Sequence, residues 1–449
     1  MYDRRSESQS WGLHMRRSTI LALTLFALAT PAGAAPLLLT HATVIDGTGS
    51  VAQPNTTIVI DDKRIQSIYP TGSQPVPKDA RIEDLTGRYV IPGLIDAHVH
   101  ITDVEPDIAH YQAFLHALLL GGVTGIRDMA GDDRLLGYLA RQSHSDAFAA
   151  PDIFYVALMA GPSFFAEDKR AQASAPDVPP GTAAWMRAID ANTNLPLAMA
   201  EAKGTGATAI KIYANLPANL VQAITAEAHR QGLRVWTHAT IFPAKPSDAV
   251  AAGADTISHS PYLVWEAAPT VPDDYGVRAR GDFAHIAPDA PQIIALFDAM
   301  HRRGTILDAT LNVFRDEAEH HADKVGVGIM PWSYAVTKLA HQHGVLIDAG
   351  TDGTGLPYRG DDPDLNALPV VHAEMALLVE HCGFTPLEAI RAATQIGAMA
   401  QGQSATRGTI AQGMRADLVV LTADPTIDIH NTTKIALVVK DGTVYRRNP

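Results

Sequence analysis

The chain has 449 residues, of which 47% are hydrophobic, and a formal net charge of −13. These values are ordinary for a globular protein, and the scattered lysines and arginines argue against a surface that binds nucleic acid. Cys382 is the single cysteine, which excludes an intrachain disulfide and a sulfur-rich metal site. Any metal ligands must therefore come from His, Asp, Glu or Lys.

The first 34 residues have the features of an export signal. Two arginines follow Met15, an apolar run covers residues 20–29, and a small-residue cleavage pattern ends at Ala34. The apolar run is too short to cross a hydrocarbon core of about 30 Å, so we expect no stable membrane anchor after cleavage. We expect translation to start at Met15, residues 1–34 to be leader and signal peptide, and the mature protein to be periplasmic or secreted.

Short β-rich pieces bounded by turn residues occupy both ends of the mature chain. They cover residues 37–45, 57–60, 64–68, 418–421, 435–440 and 443–446. The last two are separated by Asp441-Gly442, a common hairpin turn. We therefore predict that residues 35–90 and 404–449 form the two halves of one small β-sandwich.

Between these ends, eight strand-like runs alternate with helical patterns, as in chains built from βα units. The predicted strands cover residues 90–101, 123–128, 153–158, 207–212, 234–238, 255–259, 305–308 and 345–349. The clearest helices cover residues 220–231, 293–303 and 332–343. This pattern predicts an α/β fold, a (β/α)8 TIM barrel over residues 91–403, with its chemistry at the carboxyl ends of the strands. The alternative is a doubly wound open sheet.

His98 and His100 lie two residues apart on the first predicted barrel strand. Side chains at this spacing project from the same face of a strand, about 6.6 Å apart along its axis. The two imidazoles could converge on one cation, but two histidines at this spacing also occur by chance. The spacing alone leaves both interpretations open.

The flanking residues resemble the entry strand of the amidohydrolase superfamily, in which a PG-x-x-D-x-H-x-H segment leaves the sandwich and begins the barrel. Here Pro92-Gly93, Asp96, His98 and His100 fit that segment. The resemblance extends over nearly the whole mature chain. It is nearest to the imidazolonepropionase-like and prolidase-like branch, which includes ochratoxinase-like enzymes that cleave aryl amides.

Lys211 lies inside an apolar strand, where an unpaired lysine is costly. The resemblance implies that it is carboxylated and bridges two divalent metal ions, with zinc fitting the nitrogen and oxygen ligands best. It further implies that His98, His100 and Asp352 complete one metal site and that His238 and His259 complete the other. Asp352 is also expected to be the catalytic proton carrier. Tyr213 is a candidate substrate contact because it is two residues beyond Lys211 on the same strand face.

The resemblance implies a metal-dependent hydrolase that cleaves a C–N bond of a small molecule by a metal-bridging hydroxide. Xaa-Pro peptides, N-acyl amino acids and aryl amides are the expected substrates. The alternatives are a lactonase or phosphotriesterase, or a cyclic-amide hydrolase, on the same cluster. A non-catalytic binding protein is disfavoured because all six ligand positions are present. The loop over residues 260–291 is either a lid or a packing loop, and nothing in the sequence excludes a homo-oligomer.

Overall fold

The computed structural model describes residues 35–102, 108–145, 148–323, 325–359 and 362–447. The predicted leader lies outside the described residues, so export stays a prediction. None of the described helices is long and apolar enough to cross a membrane.

Five strands open the described chain. They are β1 (Leu37–Val44), β2 (Gln53–Asp61), β3 (Arg64–Pro70), β4 (Arg81–Asp84) and β5 (Tyr89–Pro92). The barrel region follows with β6 (Leu94–Val99), β7 (Val123–Asp128), β8 (Asp152–Ala160), β9 (Met186–Ala188), β10 (Ala209–Ile212), β11 (Arg234–His238), β12 (Thr256–Ser258), β13 (Ile306–Asp308) and β14 (Ile347–Asp348). The remaining strands are β15 (Tyr358–Arg359), β16 (Asp362–Pro363), β17 (Leu418–Leu421), β18 (Ile435–Lys440) and β19 (Thr443–Tyr445).

The strands from both chain ends form one hydrogen-bonded sheet, in the order β19-β18-β17-β5-β1-β2-β3, with β4 beside β1. The two predicted halves meet where β5 pairs antiparallel with β17 and parallel with β1. Alternate residues of these strands, such as Leu39, Ile58 and Val420, are buried in a hydrophobic core that this sheet does not share with the barrel. The strands from the two ends of the chain therefore form one β-domain, as the sequence predicts.

The eight predicted barrel strands form a parallel sheet in the order β6-β7-β8-β10-β11-β12-β13-β14, with the short β9 beside β8. The first and last strands also meet, because the Ala97 amide donates to the Ala349 carbonyl at 2.9 Å. The His100 amide donates to the Gly353 carbonyl at 2.8 Å in the same seam. The sheet is therefore closed into the predicted TIM barrel, and the open-sheet alternative is wrong.

The helices alternate with these strands. They are α1 (Ile108–Leu120), α2 (Asp133–Ser143), α3 (Pro162–Glu167), α4 (Lys169–Ala173), α5 (Leu195–Gly204), α6 (Ala218–Arg230), α7 (Pro246–Ala252), α8 (Pro291–Arg303), α9 (Leu311–His320), α10 (Ile329–Gln342), α11 (Val371–Cys382), α12 (Pro386–Arg391) and α13 (Gly397–Ala400). A π-helical segment, Ala392–Ile396, joins the last two. Three short 3-10 helices cover Ser260–Glu266, Tyr275–Val277 and Ile429–Thr433.

Helix α8 illustrates why these segments are helical. Its buried residues Ile293, Leu296, Phe297 and Met300 recur at the spacing that places side chains on one helix face. Proline occupies its first turn, where no amide partner is lost, and Gly304 ends it with a φ of 72°. The apolar face packs into the large core of the barrel.

The predicted first barrel strand, residues 90–101, is divided into β5 and β6, so a single uninterrupted strand is wrong. Gly93 lies between them and donates its amide to the Asp417 carbonyl at 2.8 Å. A Cβ atom at Gly93 would lie 2.2 Å from Oγ1 of Thr124. The chain thus passes from the terminal sheet into the barrel at a position where close packing leaves room only for glycine.

Candidate metal centre

The barrel brings six predicted site residues to one end. His98 and Lys211 lie within strands β6 and β10, His238 ends β11, and His100, His259 and Asp352 follow the carboxyl ends of their strands. All six line a single cavity of about 940 Å³, together with Tyr213. The cavity lies at the barrel face where enzymes of this fold carry their chemistry.

Asp352 draws the two histidines of the first strand together. Its Oδ1 atom lies 3.2 Å from Nε2 of His98 and 3.2 Å from Nε2 of His100. The two imidazole centroids are 5.3 Å apart. One ring nitrogen of His98, one of His259 and a carboxylate oxygen of Asp352 lie within 4.8 Å of one another, close enough to hold one ion.

In both His98 and His100, the ring nitrogen that points away from Asp352 lies next to a hydrogen-bond acceptor. Nδ1 of His98 lies 2.6 Å from Oδ2 of Asp308, and Nδ1 of His100 lies 3.2 Å from the Ala130 carbonyl. A carbonyl or an ionised carboxylate only accepts, so both protons are on Nδ1. The Nε2 lone pairs of both rings therefore face the Asp352 carboxylate. Three lone-pair donors directed at one point repel one another unless a cation lies between them, so the residues present fit a metal ion.

Asp308, at the end of β13, is the main site residue that the sequence analysis missed. It is fully buried, and its Oδ2 atom accepts from His98, from Arg127 at 3.1 Å and from Ser258 at 2.9 Å. Burial opposes its ionisation, but His98 and Arg127 hold its pKa below the usual range. Asp308 is thus the carboxylate that orients His98 from behind. Its place at a strand end in the series of site residues was the available signal.

The pKa of the neighbouring Asp348 is shifted in the opposite direction. It is also fully buried, and burial together with the charge of Asp308 raises its pKa well above the usual range. Arg127 lies between the two carboxylates, within 3.5 Å of each, and its guanidinium stacks on Trp236. Arg127 therefore contacts two carboxylates across the barrel.

Lys211 is buried with its ammonium nitrogen 3.1 Å from Oγ of Ser258. Burial lowers the pKa of this lysine to about 7. The neutral amine, which is the form that reacts with carbon dioxide, is therefore well populated at neutral pH. Ser258 lies between Lys211 and Asp308, which connects the lysine to the carboxylate behind His98.

His238 and His259 lie side by side, with ring centroids 4.6 Å apart. Burial lowers the pKa of both imidazoles well below the usual value, so both are neutral and able to bind a metal. Nδ1 of His259 lies 2.9 Å from Oγ1 of Thr310, while the buried Nδ1 of His238 has no hydrogen-bond partner among the described residues. An orphaned ring nitrogen beside a second neutral imidazole also fits a metal site.

Backbone strain concentrates at this end of the barrel. His259, Thr310 and Asp352 have φ values of 80°, 51° and 53°, in the left-handed region that side chains rarely adopt. Gly350 precedes Asp352 by two residues, and a Cβ atom there would lie 2.2 Å from Oδ1 of Asp308. Strained positions that the surrounding structure enforces are typical of functional sites.

Asp96, the acidic residue of the first-strand motif, connects the first and last strands. Its Oδ1 atom accepts from the amides of His98 and Thr351, at 3.2 and 3.1 Å, and its Oδ2 atom accepts from the Thr351 hydroxyl at 2.8 Å. The amide of Asp352 donates to the His98 carbonyl at 2.9 Å. Asp96 therefore sets the position of Asp352 relative to the two histidines.

Tyr213 lies over His238, with ring centroids 4.0 Å apart. Its hydroxyl lies 2.8 Å from the hydroxyl of Tyr275, whose own ring stacks on His238. Tyr275 belongs to the loop over residues 260–291, which also contains two 3-10 helices. Part of that loop thus forms the cavity wall.

Comparisons with known proteins agree with this geometry. The model of the amidohydrolase family matches residues 89–445. Among curated proteins, an allantoinase from Streptomyces avermitilis is 38% identical over 69 residues, which is 15% of either chain. An adenine deaminase from Rubrobacter xylanophilus is 28% identical over 112 residues, 24% of this chain and 18% of its own. The matches therefore span less than a fifth of these relatives.

Solved structures match over 92% of the chain. A protein assigned as a prolidase from Bifidobacterium longum is 26% identical over 95% of its length, with a TM-score of 0.68. A Xaa-Pro dipeptidase solved with methionine in its active site is 22% identical over its full length, with a TM-score of 0.71. The ochratoxinase of A. niger is 19% identical over 96% of its length, with a TM-score of 0.70. The resemblance to amidohydrolases of the prolidase-like branch is therefore confirmed.

Proposed function

Because the chain belongs to the amidohydrolase family, we propose that it hydrolyses an amide bond of a small molecule with the help of two divalent metal ions. One ion is held by His98, His100 and Asp352. The other is held by His238 and His259. A carboxylated Lys211 serves both. Zinc suits these nitrogen and oxygen ligands best.

The convergence of lone pairs on Asp352 carries the proposal. Two ring nitrogens with their protons fixed on the opposite side face one carboxylate oxygen at 3.2 Å. This arrangement has no favourable neutral hydrogen-bond pattern, since neither ring can donate towards Asp352. A bound cation satisfies all three atoms at once.

Lys211 supports the second ion. Its buried amine is the nucleophile for carbon dioxide: a bond forms between Nζ and the carbon, and one amine proton leaves to water. The product is an anion, and burial disfavours an isolated anion as it disfavours the free ammonium. We propose that divalent cations held by the neighbouring ligands would stabilise this carbamate.

Metal ions held in this way would lower the pKa of a water molecule and polarise the substrate carbonyl. Asp352 provides the proton transfer. Its Oδ1 atom faces His98 and His100, and its other oxygen, Oδ2, is 3.5 Å from His259. Although burial acts against it, the pKa of Asp352 lies well below the usual range, so the carboxylate is ionised and can accept a proton. It then returns that proton to the departing nitrogen.

The leader sequence supports a second part of the proposal, that the enzyme acts in the periplasm or outside the cell. The chain has one cysteine, Cys382, which is buried. A protein with a single buried thiol avoids wrong disulfides in an oxidising compartment.

Metal analysis and a substrate panel test the proposed function. Purified protein should contain close to two metal ions per chain, and a strong chelator should abolish activity that zinc then restores. The panel contains Xaa-Pro dipeptides, N-acyl amino acids, aryl amides, cyclic amides, lactones and phosphotriesters. Turnover of amides supports the proposal. Turnover of lactones or phosphotriesters alone would refute the amide assignment but not the metal centre. Full activity of a metal-free protein would refute the metal centre.

A further inference from the structure

Tyr262 is a buried residue in the cavity wall, next to both histidines of the second proposed metal site. Its ring centroid lies 5.1 Å from that of His259 and 5.8 Å from that of His238, with a T-shaped arrangement in both cases. Only 5% of its surface is exposed, and that surface lines the cavity. Tyr262 therefore lies beside two proposed metal ligands without being a ligand itself.

The hydroxyl group of Tyr262 has no hydrogen-bond partner among the residues that the structure describes. The two other tyrosines beside His238 differ in this respect. The hydroxyls of Tyr213 and Tyr275 lie 2.8 Å apart, and Arg170 donates to that of Tyr213 at 3.4 Å. A buried hydroxyl without a partner is costly, so the Tyr262 hydroxyl is the one of the three that is available to a ligand.

The backbone holds Tyr262 in place. Its amide donates to the His259 carbonyl at 3.0 Å, and its carbonyl accepts from Oγ1 of Thr240 at 2.7 Å. Thr240 follows His238 by two residues, so these bonds connect Tyr262 to the segments of both histidines. The ring also packs on Phe314, with centroids 5.4 Å apart. The hydroxyl is therefore not required to position the ring.

The hydroxyl is within the electrostatic reach of charged groups in the cavity. Burial raises the pKa of Tyr262, and the charges of Arg278 and Asp352 act on the same hydroxyl in opposite directions. Both of these residues line the cavity. The hydroxyl keeps its proton at neutral pH, as tyrosines ordinarily do, and can donate it in a hydrogen bond.

We propose that Tyr262 is a catalytic residue whose hydroxyl donates a hydrogen bond to the carbonyl oxygen of the scissile amide as negative charge develops there. A fixed donor in a buried site stabilises the anionic oxygen of the transition state more than the neutral carbonyl of the substrate. It needs no reorganisation at that moment, because it has no partner to leave. This inference rests on the proposed function, since it adds a donor to the same site.

Tyr262 keeps its proton throughout the step. As water adds to the carbonyl carbon, a C–O bond forms, one water proton passes to Asp352, and the π-electron pair moves to the carbonyl oxygen. The Tyr262 hydroxyl binds this oxygen. When the electron pair returns, the C–N bond breaks and Asp352 gives its proton to the departing nitrogen. Tyr262 stabilises charge, whereas Asp352 transfers the proton.

A matched amide and ester test the inference. The metal-loaded protein, Tyr262→Phe and the control Tyr334→Phe are compared by kcat and KM on 4-nitroacetanilide and 4-nitrophenyl acetate. Both substrates have the same acetyl carbonyl, but the nitrophenolate leaves without a proton. Tyr334 is a suitable control because it lies on helix α10, stacks on His381 and does not line the cavity.

Tyr262→Phe should lower kcat by about 100-fold or more on both substrates and change KM little, as expected for a lost oxyanion donor. Tyr334→Phe should behave as the unmodified protein. Unchanged kcat in Tyr262→Phe would overturn the inference. A loss on the anilide alone would also overturn it, because the hydroxyl would then act on the leaving nitrogen and not on the carbonyl oxygen.

Binding measurements separate this inference from the proposed function. Where neither substrate is hydrolysed, calorimetric titration of methylphosphonate, a tetrahedral anion, into the metal-loaded protein decides. Binding that is about 10- to 100-fold weaker in Tyr262→Phe, and unchanged in Tyr334→Phe, supports the donor while the hydrolase assignment fails for these substrates. If methylphosphonate binding does not differ between Tyr262→Phe and the unmodified protein, the inference is wrong.

Discussion

Nδ1 of His98 and Oδ2 of Asp308 lie 2.6 Å apart, although the two residues are 210 positions apart in the chain. This contact decides which nitrogen of His98 faces the cavity. It also joins the first barrel strand to the seventh beneath the proposed metal centre. A carboxylate behind a ligating imidazole fixes the tautomer and makes the ring a better donor.

Replacement of Asp308 by asparagine should weaken metal binding. The asparagine keeps the shape of the side chain but removes the charge that faces His98, so we expect metal affinity to fall about 10- to 100-fold. Competition with a chelator of known affinity measures the change. Asp255→Asn is the control, because Asp255 precedes β12 at the opposite end of the barrel. If Asp308→Asn binds metal as tightly as the unmodified chain, the contact with His98 serves packing alone.

Lys211→Met should reduce the metal content below two ions per chain and lower activity by at least about 100-fold, since it removes the carbamate. Incubation with 13C-labelled bicarbonate should give a carbamate signal in the carbon NMR spectrum of the unmodified protein and none in the variant. Lys203→Met is the control, because Lys203 lies on helix α5, outside the cavity. Full activity of Lys211→Met would contradict the carbamate proposal.

The hydroxyl groups of Tyr213 and Tyr275 should act as a unit. They lie 2.8 Å apart over His238, so loss of either removes this hydrogen bond from the other. We expect Tyr213→Phe and Tyr275→Phe each to lower kcat/KM about 10-fold, and the double variant to be little worse than either. Tyr155→Phe is the control, since its hydroxyl bonds to the Thr205 carbonyl and does not line the cavity. Fully additive losses would contradict the coupling.

Stability should decline in acid because of His372. This buried residue donates from Nε2 to the Gly121 carbonyl at 3.0 Å, and burial lowers its pKa from 6.5 to about 4. The unfolded chain takes up a proton as the pH falls below 6.5, whereas the folded chain does so only near pH 4. The stabilising effect of the neutral imidazole is therefore complete above pH 6.5 and is lost between pH 6.5 and 4.

The loss amounts to roughly 3 kcal/mol over this interval. His372→Gln keeps both hydrogen-bonding positions without titrating, so its free energy of unfolding should lack this component. Urea denaturation of metal-free protein at pH 7 and pH 4.5 measures the difference. His285→Gln provides the control because His285 is exposed on a loop. An unchanged pH profile in His372→Gln would show that other groups cause the acid sensitivity.

The sequence predicted the barrel from local patterns, whereas the six proposed ligands were implied by the resemblance to the amidohydrolase superfamily. Each ligand lies in or just after an apolar strand, and parallel strands bring those carboxyl ends together. The division of the first strand at Gly93 was missed because residues 90–101 were predicted as one strand, although Pro92-Gly93 within that run is a turn signal. The reason for the division, the contact with Thr124, appears only in the folded chain.

Asp308 was missed, and the path of the loop over residues 260–291 was left open, for different physical reasons. Asp308 ends a short strand as a single aspartate, and nothing next to it in sequence distinguishes a buried orienting carboxylate from a turn residue. The path of that loop is set by the bond from Trp265 to the Arg278 carbonyl and by the bond from the Tyr275 amide to Asn215 on the fourth βα unit. Local periodicity predicts strands and helices, but it contains no information about where such a loop returns to the barrel.

The pairing of β5 with β17 has a consequence for the order of assembly. Residues 89–92 immediately precede the barrel, and their hydrogen-bonding partners, residues 418–421, follow it. The hydrogen bonds between the segments of His98 and Asp352 likewise cannot form before the eighth barrel strand has been synthesised. During synthesis the amino-terminal strands therefore leave the ribosome long before their partners exist. The catalytic end can be completed only when nearly the entire polypeptide is present.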